Sequence, residues 1–151
     1  MNARAIRRVN SSDLNDLLDL MRAYCDFYKA SPADEDLLAL ARALLDDPGR
    51  EGLQLIARNS GGRAVGFATV YWSWSTTSAC RIGVMNDLFV AEDTRGQGLA
   101  AALIDACRTE CTHHGARKLT WQTAPDNLRA QAVYERVGAT PEQWIDYSLP
   151  T

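Results

Sequence analysis

Hydrophobic residues recur along this chain with two different periods, and each change of period marks a boundary between elements. Ala5-Ile6-Arg7-Arg8-Val9 alternates as a short strand does, and Ser11 and Ser12 stand after it as helix caps. Leu14, Leu17, Leu18, Met21 and Cys25 then return every three or four positions, which predicts an amphipathic helix from 13 to about 28, stopped by Pro32. Leu37, Leu38, Ala41, Leu44 and Leu45 repeat the pattern over 34 to 46, before the breaker run Asp47-Pro48-Gly49. From Leu53 the period is two. Leu53 to Ala57 and Ala64 to Trp74 predict strands joined as a hairpin through Asn59-Ser60-Gly61-Gly62. Arg81 to Val90 is apolar on both alternating sets, as a central strand is. A helix over 98 to 113, a strand over 117 to 123, a helix over 128 to 137 and a strand near 143 to 149 complete the order β-α-α-β-β-β-α-β-α-β. An antiparallel meander followed by a βαβ crossover implies an α/β fold, a mixed sheet with helices on both faces.

The chain has 151 residues, 46% of them hydrophobic, which is enough for a core without disulfides or metal. No linker, repeat or low-complexity tract divides it, so one domain over 1 to 151 is expected. Its 16 Lys+Arg against 19 Asp+Glu give a net charge of −3 with no basic cluster, so it lacks the electrostatic footprint for nucleic acid or an anionic membrane. Met1 to Arg8 carries charge where a secretory leader needs an apolar core, and no apolar run approaches the ~18 residues of a membrane span. A soluble, cytoplasmic protein is expected, and the four cysteines, Cys25, Cys80, Cys107 and Cys111, fit a reducing compartment. Cys107-x3-Cys111 beside His113 and His114 raises the question of a metal. Both thiols, however, fall on the apolar stripe of Leu99, Ala102, Leu103 and Ala106, so core positions and no metal are expected.

The most informative stretch follows the central strand: Arg95-Gly96-Gln97-Gly98-Leu99-Ala100 opens an apolar helix. Glycines there let the backbone approach a ligand closely, and the first-turn amides point outward with the positive end of the helix dipole, so this is an anion site. Gly96-x-Gly98-x-x-Ala101 also satisfies a dinucleotide-binding fingerprint. That motif wants an acid at the end of the next strand to hold a ribose, and Lys118-Leu119-Thr120-Trp121-Gln122-Thr123 has none.

Arg95-x-x-Gly98-x-Ala100, followed by Asn127-Leu128-Arg129-Ala130-Gln131-Ala132-Val133-Tyr134 and closing on Gly138-Ala139, resembles the GNAT superfamily of acyl-CoA-dependent N-acetyltransferases. The resemblance implies a mixed, mostly antiparallel sheet of about six or seven strands flanked by about four helices. It further implies that acetyl-CoA is the acetyl donor, with the amides of Arg95, Gly96, Gln97, Gly98, Leu99 and Ala100 on its pyrophosphate. Leu88, Phe89 and Val90 would pair with the pantetheine arm in a slot that a strand bulge opens, and Asn127 would hydrogen-bond the coenzyme. Tyr134 would stand near the thioester sulfur and serve the leaving thiolate. A homodimer is implied by the resemblance alone.

The residues themselves leave alternatives open. Asn127 stands where an N-cap belongs, and Tyr134 shares an apolar face with Ala130, Val133 and Val137, as a core tyrosine would. The acceptor amine must lose a proton to attack a thioester, and Asn86-Asp87 is the polar pair in an otherwise apolar strand. Asp87 is a candidate base, directly or through water, or a partner for the backbone. Around Asp87-Leu88-Phe89-Val90 the chain resembles the spermidine/spermine acetyltransferases, which carry Glu-Asp where Asn86-Asp87 stands. By the family's geometry Tyr24, Tyr28, Trp72 and Asn86 would line the acceptor pocket. The expected reaction is direct acetyl transfer in a ternary complex to a primary amine of a small molecule. The alternatives are acetylation of a protein amino terminus or lysine, and a non-catalytic acyl-CoA-binding module.

Overall fold

The computed structural model describes residues 5–151. Residues 1–4, part of the stretch read as lacking a leader core, lie outside the described residues. The elements in chain order are β1 (Ala5–Arg8), a 3-10 turn at Ser11–Asp13, α1 (Leu14–Phe27), α2 (Asp34–Asp46), β2 (Gly52–Arg58), β3 (Ala64–Ser75) and β4 (Cys80–Val90). A second 3-10 turn at Glu92–Thr94 leads into α3 (Leu99–His114), β5 (Leu119–Thr120) and α4 (Leu128–Arg136). The sheet runs β1-β2-β3-β4-β5, antiparallel except for β5, which lies parallel to β4 through the α3 crossover.

Each sheet face buries one set of the alternating residues. Leu53, Leu55, Ala68, Val70 and Met85 pack with Leu99, Leu103, Ile104, Cys107 and Cys111 of α3. On the opposite face Ile56 and Phe67 meet Leu17, Leu20 and Met21 of α1 and Leu37 and Ala41 of α2. Cys107 and Cys111 are thus core residues, and burial pushes their thiols up to about 12 and about 11, which keeps them protonated. Gly83 lets α3 sit this close to the sheet, because a Cβ there would stand 2.5 Å from the Cys111 sulfur.

Two local expectations are corrected. The side-chain cap is Asn10, not Ser11 or Ser12, and it caps the 3-10 turn that leads into α1: its side chain takes the Ser12 amide at 2.9 Å while the Asp13 carboxylate takes the Asn10 amide at 2.9 Å, a reciprocal capping box. The sheet has five strands among the described residues rather than six or seven, because 143 to 149 forms none. Beside it β5 pairs over only two residues, so the last segment finds no edge to join. Trp144, Ile145, Tyr147 and Leu149 stay exposed, and the segment touches the body through Gln122 Nε2, which donates to Asp146 at 2.8–2.9 Å, and the Lys118–Glu142 pair at 3.4 Å.

Candidate active site

The middle of the sheet is opened by two irregularities in β4. Opposite Thr69 and Val70 the register skips from Asp87 to Met85, so Asn86 is an extra residue, a β-bulge. On its other side β4 pairs with β5 only at Gly83 and Val84, leaving the edge beyond Val84 without a neighbouring strand. The Ala91 amide bonds the Val65 carbonyl at 2.8 Å. Hydrogen-bonded pairs recur every second residue, so Phe89 and Asp87 also turn their backbone toward β3, while Leu88 and Val90 present theirs to the open edge. Of the three residues expected to line a slot, Phe89 therefore contributes its ring, packed 6.2 Å from Phe67 on the α1 face, and not its backbone.

At the end of that edge the chain turns through Gly96 and Gly98, at φ 74° and 79°. Both are exposed, and a Cβ on either would meet nothing within 4 Å, so the glycines serve the left-handed backbone rather than close packing. Gly98 is the N-cap of α3, and the Ala102 amide closes onto its carbonyl at 3.1 Å, which leaves the amides of Leu99, Ala100 and Ala101 without intrahelical partners. The Leu99 side chain is core. Arg95 folds back, its Nε donating to the Val90 carbonyl at 3.1 Å, and ties the turn to the strand. Gly96 also borders a groove of about 600 Å³ lined by Arg129, Ala132, Val133, Glu135 and Arg136 of α4. Arg129 and Arg136 were not singled out from the sequence. Their spacing of seven on one helix, facing the glycine turn, is the signal that could have found them.

Across the bulge lies a polar row. Asp87 is half-buried, and burial raises its pKa against the opposing effect of hydrogen bonds from Thr69, Tyr24 and Asn86. The Asn86 amide donates to it at 3.0 Å. No Lys or Arg pairs with it among the described residues. Tyr24 of α1 donates its hydroxyl to the Asn86 carbonyl at 3.3 Å in the same corner, and its ring lies 5.0 Å from that of Tyr28, tilted by 59°. Tyr71 of β3 is pushed up to about 12 by burial and by the Asp87 charge. Tyr28 in turn raises the Tyr134 pKa, after the larger effect of burial, while the Thr123 side chain opposes both through a hydrogen bond. Tyr134 stands edge-on to Trp121 at 5.3 Å. The structure therefore joins Asp87, Asn86, Tyr24, Tyr28 and Tyr134 into one region.

It excludes Trp72. That ring lies on the other face of the sheet, stacked 3.8 Å on His114, with its Nε1 donating to the Pro48 carbonyl at 2.8 Å. The alternation of β3 sends Tyr71 and Trp72 to opposite faces, so only Tyr71 can reach the site. Asn127 is the N-cap of α4, its Oδ1 taking the Ala130 amide at 3.2 Å.

The acetyltransferase (GNAT) family model matches residues 15–139. The chain belongs to the GNAT acetyltransferase family. This GNAT protein is 32% identical over 133 residues to the uncharacterized N-acetyltransferase YhfO of Bacillus subtilis (strain 168), covering 88% of this chain and 87% of that one. It is 26% identical over 149 residues to a thialysine N-epsilon-acetyltransferase of Bos taurus, covering 89% and 82%. Its fold also matches a solved structure of AAC(6')-Iy in complex with the bisubstrate analogue CoA-S-monomethyl-acetylneamine, at TM-score 0.84 and 25% identity over 99% of both chains. The chain is accordingly an N-acetyltransferase. The opened β4 edge leads to the glycine turn, so an exposed strand edge and the unpaired amides at the start of α3 lie along one path.

Proposed function

We propose that this N-acetyltransferase moves the acetyl group of acetyl-CoA directly onto a primary amine of a small cationic molecule, bound together with the donor. The observation that carries the acceptor class is Asp87, a half-buried carboxylate without a cationic side chain beside it, walled by Tyr24, Tyr28 and Tyr71. An ammonium group supplies the missing charge, and aromatic faces favour it. The relative that acts on thialysine and the solved structure bound to an acetylneamine conjugate are in keeping with an amine acceptor.

An alkylammonium has a pKa near 10.4, so a proton must leave before attack, and Asp87 accepts it directly or through water. The raised pKa of Asp87 narrows the gap between the two groups. At the other end, a phenol is a weaker acid than a thiol by about 1.5 pKa units, roughly 2 kcal/mol, and burial of Tyr134 widens that difference. Tyr134 therefore serves the thiolate through a hydrogen bond that strengthens as charge develops, without full transfer. The backbone of Leu88, the Val90 amide, the amides from Gly96 to Ala100, and Arg129 and Arg136 hold the donor; the Arg95 amide, expected among them, is taken by the Glu92 carbonyl at 3.3 Å.

The test is thiol release from acetyl-CoA with a panel of monoamines, diamines, amino acids and peptides. Release with small amines, lost in Asp87→Asn, is the expected result. Release only with peptides would assign a protein acceptor, and acetyl-CoA binding without release on any acceptor would leave a binding module.

A further inference from the structure

Asp87 is one end of a longer construction. The register pairs Gln54 of β2 with Thr69 of β3, and Thr69 with Asp87 of β4, so the three side chains form a row across three strands on the face that meets α1. The rows beside it on that face hold Ile56, Phe67 and Phe89. Gln54 and Thr69 are both buried, at 4% and 0% exposure, in a layer otherwise filled by apolar groups. Burying a polar pair there costs stability unless it has partners, and here the partners lie in line.

The line has a direction. Gln54 Nε2 donates to Thr69 Oγ1 at 3.1 Å and lies 3.5 Å from the Met21 sulfur. With its oxygen occupied by that donor, the Thr69 hydroxyl has its proton left for the Asp87 carboxylate, which the register sets directly opposite it. The opposite end of the Gln54 amide, Oε1, is the buried side-chain polar atom without a hydrogen-bond partner among the described residues. An apolar residue at 54 would avoid that cost, and what the amide contributes in return is the hydrogen bond from its nitrogen to Thr69.

We propose that Gln54 and Thr69 are positioning residues, a buried hydrogen-bond chain that fixes the orientation and the ionisation of Asp87 from the side away from substrate. This rests on the reading of Asp87 as the proton acceptor. The titratable groups facing Asp87 are Tyr24 and Cys25 of α1 and Tyr71 of β3, none of them a cation, so hydrogen bonds are what oppose the effect of burial there. Gln54 acts only through Thr69, which makes the chain serial.

The experiment is a carbon-13 NMR titration of the Asp87 carboxyl, assigned by its loss in Asp87→Asn, run beside the pH profile of kcat/KM. Thr69→Val keeps the shape of the strand residue but removes the donor, and is expected to raise the Asp87 pKa by about one unit. The acid limb of kcat/KM should move with it. Thr69→Ser should restore both, and Gln54→Met should give a smaller shift of the same sign. In the Thr69→Val background, Gln54→Met should add nothing, because the link through which it acts is gone. Unchanged acetyl-CoA affinity and a cooperative thermal melt show that each variant is folded. An Asp87 titration unmoved by Thr69→Val, or a Gln54→Met shift of full size in the Thr69→Val background, overturns the proposal. Full amine acetylation by Asp87→Asn would instead overturn the proton-acceptor role, with the titration still deciding whether the chain governs the carboxylate.

Discussion

Two residues contrast a side chain placed for stability with one proposed to serve chemistry. Asp13 is 1% exposed and held by Arg7 at 2.6 Å and Arg58 at 2.8 Å, while its Oδ2 also takes the Asn10 amide. The Arg7 hydrogen bond, followed by those from Arg58 and the Asn10 amide, outweighs burial and keeps the carboxyl well below the usual carboxylate range. A folded-state pKa below the unfolded one means the contribution is present above the ordinary carboxylate pKa. It drains away as pH falls below about 4 toward the folded value. Asp13→Asn is expected to cost about 3 kcal/mol at neutral pH and less in acid, read from urea midpoints across pH. Tyr134 is the functional counterpart. Tyr134→Phe should lower kcat by about 100-fold and leave acetyl-CoA affinity by calorimetry unchanged, since the hydroxyl acts on charge that appears only in the transition state. Equal turnover of the two proteins would remove Tyr134 from the reaction.

At the level of elements, the turn from β4 into α3 carries the binding argument. Gly98 at φ 79° has open space around it, so Gly98→Ala meets no clash and suffers only the left-handed backbone penalty of about 1–2 kcal/mol. The larger effect should fall on function. A residue that escapes the left-handed region re-aims the amides at the start of α3, and calorimetry should show acetyl-CoA binding weakened by at least about tenfold. Gly83 offers the contrast. An added methyl there runs into Cys111, so Gly83→Ala should lower stability first, by about 2 kcal/mol, and binding only as a consequence. The bulge at Asn86 is the third such device, an extra residue in β4 directly beside Asp87.

For the molecule as a whole, the donor site and the carboxyl-terminal segment make opposite predictions. Acetyl-CoA at 100 times its Kd should stabilise the protein by about 2.7 kcal/mol, visible as a raised Tm, because only the folded chain presents the glycine turn to the ligand. No shift at saturation would remove the donor site. Residues 140–151 are exposed and meet the body through surface polar contacts, so a chain ending at Ala139 should melt within about 2 °C of the full one. No described helix is long and apolar enough to cross a membrane, and no cluster of three metal-ligating side chains occurs among the described residues.

The sequence by itself located most of the elements and the glycine turn, because both are local. Periods of two and 3.6 placed β2 to β4 and α1 to α4 within a residue or two, and Gly96 and Gly98 announce their backbone by needing no Cβ. Tertiary structure decided whatever depends on a neighbour distant in the chain. Alternation in 143 to 149 looks like a strand, yet a strand exists only where an edge accepts it, and β5 offers two paired residues. Trp72 is as aromatic as Tyr71, but the pleat sends one to His114 and the other to Asp87. Arg129 and Arg136 border the glycine turn only because α4 lies beside Gly96. Gln54 and Thr69 look like single polar interruptions in apolar strands, and only the register across β2, β3 and β4 sets them in one row with Asp87.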